Sequence, residues 1–390
     1  MKNKFSMNDL TKRITNIFNS SIKSIINDLN YTSCNLITDN LLTKVVCNYK
    51  PYSYNLVNLS SVFNVLPKSS RVNKNVIEAF VTESKDIFRK IELIFQCSGW
   101  STNKYVKAFN LATRNTSSCK CTVDNKFHII KCYNYFYYIY NTESNCCLIV
   151  TNGDRKSLSM INILLLTPYL LCGDLYAVHG GVVDNGKSTV LLVSSSLGGK
   201  TTFSLLFLEN GWRILTEETT YITKHGKLLN YNVRNYFNIR IGTYLEFKDF
   251  FIKAGIVNDS FLALANTPKE KLFDLGKEKQ MSIDFESLCY NKHNTTANRI
   301  THVLKISLKK NQSGIIIKKI NSIKTVSMFL EVSFSPTVML FKNLTGIVNL
   351  KRSKSREQLM RIFKDVKHYS VISGLDYRNN FNLLLNEIKL

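Results

Sequence analysis

Apolar residues at helical spacing open the chain. Leu10, Ile14, Ile17, Phe18, Ile22, Ile25 and Leu29 recur every three or four positions between residues 9 and 29, which predicts an amphipathic helix packed on its own domain. From Leu36 to Val150 the pattern breaks into short aromatic or β-branched runs separated by polar residues. Such runs predict several strands, and with the helix an α+β domain. The densest run is Tyr133–Tyr140, YNYFYYIY, read as strand core; an exposed tyrosine face suited to peptides is the alternative.

The pattern changes again further on. A helix over about 157–171 leads into strands near 176–183 and 189–193, separated by the turn Asp184-Asn185-Gly186-Lys187. A helix follows at Thr202–Leu208, then a strand at Trp212–Leu215. Leu228–Leu245 reads as extended and basic, and Asn266–Gln280, charged and without period, as a mobile loop. Residues 301–308 and 315–320 predict a hairpin around Asn311-Gln312-Ser313-Gly314. A helix is expected from Ser355, with Gln358 at the capping-box position and Leu359, Ile362, Phe363 and Val366 on one face. Asn380–Ile388 closes the chain as another helix. The change of pattern divides the chain into an N-terminal α+β domain, 1–165, and an α/β domain, 166–390.

Bulk composition narrows the class. Hydrophobic residues at 44% and charged residues at 21% describe a folded globular chain, and 390 residues are enough for two domains. The net charge of +24 comes from scattered lysines without a basic stripe, so a nucleic-acid partner is only a third-ranked reading. Lys351-Arg352-Ser353-Lys354-Ser355-Arg356 reads as a solvated loop before a helix. No signal-like segment opens the chain, and the apolar stretch 160–172 is interrupted by Asn162, Thr167 and Pro168. A cytoplasmic protein without a membrane span is expected. Ten cysteines fit that setting as reduced thiols. Cys119, Cys121, Cys132, Cys146 and Cys147 lack paired C-x-x-C spacing and read as structural rather than zinc-binding.

The candidate chemistry lies in VLLVSSSLGGKTTFSLLF, residues 190–207. An apolar strand runs into Gly199-Lys200-Thr201 and then a helix, the order of a phosphate-binding loop. In such a loop, backbone N–H groups and a helix start converge on an anion, Lys adds a point charge and Ser/Thr reaches magnesium. That assigns Lys200 to the β and γ phosphates and Thr201 to Mg2+. The pattern's first Gly is Ser194 here, a residue that reaches positive φ only with strain, so a Ser/Gly-rich turn is the competing reading.

The surroundings carry a resemblance. AVHGGVVDNGKSTVLLVSSSLGGKTTFSLLFLENGWRILTEETTYI, residues 177–222, resembles the core of the HPr kinase-like family. His179 and Gly180 match its histidine-bearing strand, Gly186 its hairpin turn, and Ser196, Gly199, Lys200, Thr201 and Thr202 its loop. Gly211 precedes the acidic pair Glu217-Glu218, and NVRNYFNIRIGT retains Arg240 and Gly242-Thr243 of a further family stretch. The match runs from about 170 to 250.

The resemblance implies a P-loop domain of the HPr kinase/phosphoenolpyruvate carboxykinase type that transfers the γ-phosphoryl group of ATP to a Ser hydroxyl of a protein or peptide. It implies that Ser194, Ser195, Ser196, Leu197, Gly198, Gly199, Lys200, Thr201 and Thr202 hold the nucleotide. His179, Glu217, Glu218 and Arg240 would be catalytic, with one carboxylate as base, and Thr201 and Glu218 would hold the metal. The chain is closest in kind to Ser kinases that modify precursor peptides, and homo-oligomers are common in the family. Three departures stand out: Ser194 and Leu197 replace loop glycines, and Glu-Glu replaces Asp-Asp, each carboxylate one methylene further from its backbone. They support a second reading, a nucleotide-binding scaffold or regulator without transfer activity.

Overall fold

The computed structural model describes residues 7–27, 32–37, 41–47, 75–97, 119–123, 127–132, 136–141, 143–144, 146–152, 175–195, 197–217, 219–229, 236–276, 278–284, 299–332 and 352–390. Those up to 152 form one compact unit and those from 175 onward, to 332 and from 352, form another. The expected helix at 157–171 and the expected boundary at 165/166 lie outside the described residues.

The first unit comprises α1 (Met7–Asn27), β1 (Thr32–Ile37), β2 (Leu41–Cys47), β3 (Asn75–Glu83), α2 (Lys85–Cys97), β4 (Cys119–Val123), β5 (Phe127–Cys132), β6 (Phe136–Asn141) and β7 (Cys146–Thr151). Its strands order as β1-β2-β3-β7-β6-β5-β4, parallel only across β2/β3 and β3/β7 among the described pairs. The apolar stripe of α1, through Ile14, Phe18 and Ile25, packs with Phe88 and Ile91 of α2 on Phe80, Phe127, Tyr137, Ile139, Leu148 and Val150 of the sheet. This is the packing that the helical spacing predicts. Tyr137, Tyr138 and Tyr140 are all buried, so they are strand core and the exposed tyrosine face does not arise there. Residues 133–135 lie outside the described residues.

Sheet order also separates Cys119 and Cys121 from Cys146 and Cys147. Two strands intervene between β4, with Cys119 and Cys121, and β7, with Cys146 and Cys147, a distance of about 14 Å at the usual strand spacing. One zinc ion cannot bridge it. Cys146 and Cys147 are buried free thiols, and burial pushes both pKa values up, that of Cys147 to about 12.

The second unit is built on a mixed sheet. Its strands are β8 (Leu175–Val178), β9 (Gly180–Asp184), β10 (Thr189–Val193), β11 (Arg213–Thr216), β12 (Thr220–Thr223), β13 (Leu228–Leu229), β14 (Tyr236–Arg240), β15 (Gln280–Asp284), β16 (His302–Leu308), β17 (Ile315–Lys319) and β18 (Lys367–Ser373). Its helices are α3 (Lys200–Glu209), α4 (Ile241–Glu246), α5 (Lys248–Lys253), α6 (Asp259–Leu262), α7 (Lys269–Leu275), α8 (Ser322–Val332), α9 (Arg352–Ile362) and α10 (Tyr377–Ile388). The central sheet has the order β11-β9-β10-β16-β18-β17. β10, β16 and β18 run parallel, and β9 is antiparallel to both β10 and β11, so β11 points the same way as β10. Successive residues of β10 enter opposite cores, as alternation in a strand requires. Val190 and Leu192 pack with α3, α4 and α10, while Leu191 and Val193 pack with β12, α8 and α9.

The structure differs from the sequence pattern in several places. The strand expected over 176–183 is two strands in different sheets, because the chain bends at His179 and β8 joins β12 and β13. Gly180 allows the crowding after the bend, since a Cβ there would lie 2.8 Å from the Leu192 carbonyl oxygen. The hairpin over 301–320 is not one: β18 lies between β16 and β17, a pairing set by residues far along the chain. The end of the extended segment 228–245 is helical instead, since Ile241 and Tyr244 bury one face and Tyr244 stacks on Phe251 at 5.2 Å. In the expected mobile loop, α7 forms because buried Leu272 anchors it and Lys310 and Lys269 pair with Asp274 and Glu246. Finally, α9 starts at Arg352 rather than Ser355, so most of the basic run is helical, and Gln358 donates to the Lys224 carbonyl at 2.7 Å instead of capping.

Two buried histidines give this unit a pH dependence. Burial and the nearby Lys367 push His302 down to about 4, and burial also lowers His368. A histidine whose folded pKa is depressed stabilises above its unfolded value near 6.5 and loses that stability as pH falls toward the folded value. His302 alone should therefore remove about 3 kcal/mol between pH 6.5 and 4, at 1.36 kcal/mol per pKa unit. Denaturant unfolding at pH 7 and 4.5 checks this. The loss should shrink in His302→Phe; an equal loss in both proteins would refute it.

Candidate functional site

Strand direction brings the candidate residues to one edge. The loop leaves the C-terminal end of β10, Glu217 follows the C-terminal end of β11, and Leu308 ends β16 on the same side. His179 precedes antiparallel β9, whose Gly180 pairs with Val193 just before the loop. Ligands of open α/β sheets bind at this carboxyl edge.

The loop is a tight turn pinned to β16. The Gly198 N–H donates to the Ser195 carbonyl at 2.9 Å, and the Leu308 N–H donates to the Gly198 carbonyl at 3.1 Å. Gly198 is required by contact, because a Cβ would lie 2.7 Å from the Ser194 Cβ. Gly199 is required by conformation as well, at φ 97 with Leu308 against its face. The expected strain at Ser194 is absent: among the described residues the non-glycines at positive φ are Leu197, at φ 66, and Lys389. Buried Ser194 therefore accommodates the lost glycine, and the left-handed turn falls on Leu197 at about 1–2 kcal/mol. Ser195 is exposed, while Ser196 and Glu218 lie outside the described residues.

Helix α3 begins at Lys200 with its first return bond from the Phe203 N–H to the Gly199 carbonyl, 2.9 Å. The amides before Phe203 have no carbonyl one turn back, and helix geometry aims them out of the N-terminus. Lys200 is only 8% exposed, and its Nζ lies 3.5 Å from His179 Nε2. Thr201 donates its hydroxyl to Glu217 Oε1 at 2.5 Å, and Ser204, one turn along the helix, donates to Glu217 Oε2 at 3.0 Å. Thr202 shares a hydrogen bond with Thr243 at 2.9 Å, which ties the R-I-G-T stretch to the loop helix. Thr220 donates to the Gly180 carbonyl at 2.8 Å and bonds Thr216 at 2.7 Å, locking the corner that carries Glu217 to the bend that carries His179.

Lys200, Thr201, His179 and Glu217 thus meet. Arg240 engages elsewhere, donating to the Gly276 carbonyl, and burial lowers its pKa. Sequence reasoning missed Ser204, Gly181 and Thr220. Ser204 was findable, since a hydroxyl three residues after Thr201 shares its helix face.

The donor set suits magnesium. Hydroxyl and carboxylate oxygens are hard ligands, and Mg2+ is commonly held by one or two protein oxygens together with substrate phosphates. Among the described residues no group of three or more His, Cys, Asp or Glu could hold a metal, and no helix is long and apolar enough to cross a membrane. Comparison of the chain with models of known protein families and with curated proteins found no match.

Proposed function

We propose that the second unit binds Mg-ATP at the edge of the central sheet and transfers its γ-phosphoryl group to a Ser hydroxyl of a peptide or protein. The observation that carries this reading is the meeting of Lys200 and Thr201, at the start of α3, with His179 and Glu217. Lys200 and the first amides of α3 would hold the phosphates, as a buried cation at a helix N-terminus is suited to do. Thr201 and Glu217 would hold magnesium, which when bound neutralises charge developing on the phosphate oxygens.

In the transfer the acceptor oxygen bonds the γ-phosphorus, the bond to ADP breaks, and the acceptor proton leaves to a base. Glu217 is engaged with Thr201, so its place is on the metal side; the base role falls to His179 or Glu218. The peptide acceptor, including a precursor peptide, rests on the family resemblance. Glu217→Gln should therefore weaken Mg-ATP binding about 10- to 100-fold while ATP without magnesium, relieved of a nearby negative charge, binds at least as well as before. Calorimetry with and without the metal measures both. Full Mg-ATP affinity in that variant would instead give Glu217 the base role.

Leu197 favours the second reading, a nucleotide-binding regulator without transfer. Its side chain stands where a family glycine would let backbone wrap phosphate, and its φ of 66 fixes that turn. Tight Mg-ATP binding without any phosphoryl transfer to peptides would establish it.

A further inference from the structure

We infer that Ser204 is a positioning residue that, with Gly181, seats the longer carboxylate of Glu217 for the metal. The inference rests on the nucleotide-binding reading above. An aspartate at 217 would fall one methylene short of the position that the Glu217 carboxylate takes, so a chain that carries glutamate needs room and partners for the extra length.

Both are present. Gly181 of β9 leaves the room: a Cβ there would stand 3.0 Å from Glu217 Oε2 and 3.0 Å from the Glu217 carbonyl oxygen. Ser204 supplies the partner, fully buried on α3 and donating to Oε2 at 3.0 Å. With Oε2 tied to Ser204, Oε1 is directed at Thr201. Ser204 would act through Glu217, whose rotamer it fixes and which would hold the metal, and Glu217 at 4% exposure has little space to find another rotamer. The longer carboxylate at 217 is therefore matched by the room at Gly181 and the donor at Ser204.

The test separates metal seating from simple stability. ATP affinity is measured by calorimetry with magnesium and with EDTA for the wild type, Ser204→Ala, Ser204→Cys and Glu217→Asp, each checked for cooperative unfolding. The wild type should gain affinity from magnesium. In Ser204→Ala that gain should fall about 10-fold and in Glu217→Asp at least as far, while EDTA affinity stays within 2-fold. Ser204→Cys keeps the volume with a weak donor and gives the same readout if the alanine variant fails to fold. An undiminished magnesium gain in a folded Ser204 variant, or in Glu217→Asp, overturns the inference alone. A folded wild type that binds no nucleotide overturns the nucleotide-binding reading, and this inference with it.

Discussion

Replacing Gly199 with alanine is expected to destabilise the second unit by about 3 kcal/mol and to remove nucleotide binding. Two costs add. At φ 97 an L side chain is strained, by about 1–3 kcal/mol. The new Cβ would also lie 2.5 Å from Leu308 Cγ, and overpacking of this kind costs about 1–3 kcal/mol. Relief takes either a new Leu308 rotamer or a shift of the end of β16, whose amide holds the Gly198 carbonyl. A shift of β16 would also disturb the turn at Gly198, and the amides of α3 would lose their common aim. Denaturant unfolding gives the stability change, and Gly198→Ala, which meets Ser194 Cβ at 2.7 Å, should behave alike. A Gly199→Ala protein as stable as wild type would mean that the turn is looser than its geometry states.

Lys200→Ala is expected to reduce Mg-ATP affinity by about 30- to 4,000-fold, with little effect on folding. Truncating one partner of a desolvated charge pair costs about 2–5 kcal/mol, and each 1.4 kcal/mol is a factor of ten. Lys200 is buried, so its charge would meet phosphate with little screening by water. In the free protein its ammonium lies beside His179, and truncation opens space that water can fill. Equilibrium titration checks the affinity and thermal unfolding the fold. Unchanged affinity in the variant would place any nucleotide elsewhere.

Local pattern made some of this legible and long-range pairing hid the rest. The strand at 190–193, the turn at Gly186, helix α3 and the positions of Lys200 and Thr201 all follow from adjacent residues, and the structure has them. The insertion of β18 between β16 and β17 could not be read, because a six-residue loop rich in turn formers looks the same whether it closes a hairpin or steps across one strand. Helix α7 was hidden because one buried leucine, Leu272, does not make a period. In the site, sequence reasoning found the meeting residues but misjudged the strain. Ser194 keeps an ordinary backbone because Leu197 and Gly199 take the left-handed positions, a division of the turn that spacing alone does not reveal. The length of Glu217, read as a departure, is matched by absence of a side chain at Gly181 on another strand.

The central claim is that the β10–α3 loop is a nucleotide site, and calorimetric titration of Mg-ATP into the wild-type protein tests it most directly. Saturable binding that weakens when magnesium is chelated, and again in Lys200→Ala, is the predicted result. No binding by the folded wild type at millimolar nucleotide, or binding indifferent to both magnesium and Lys200, would contradict it.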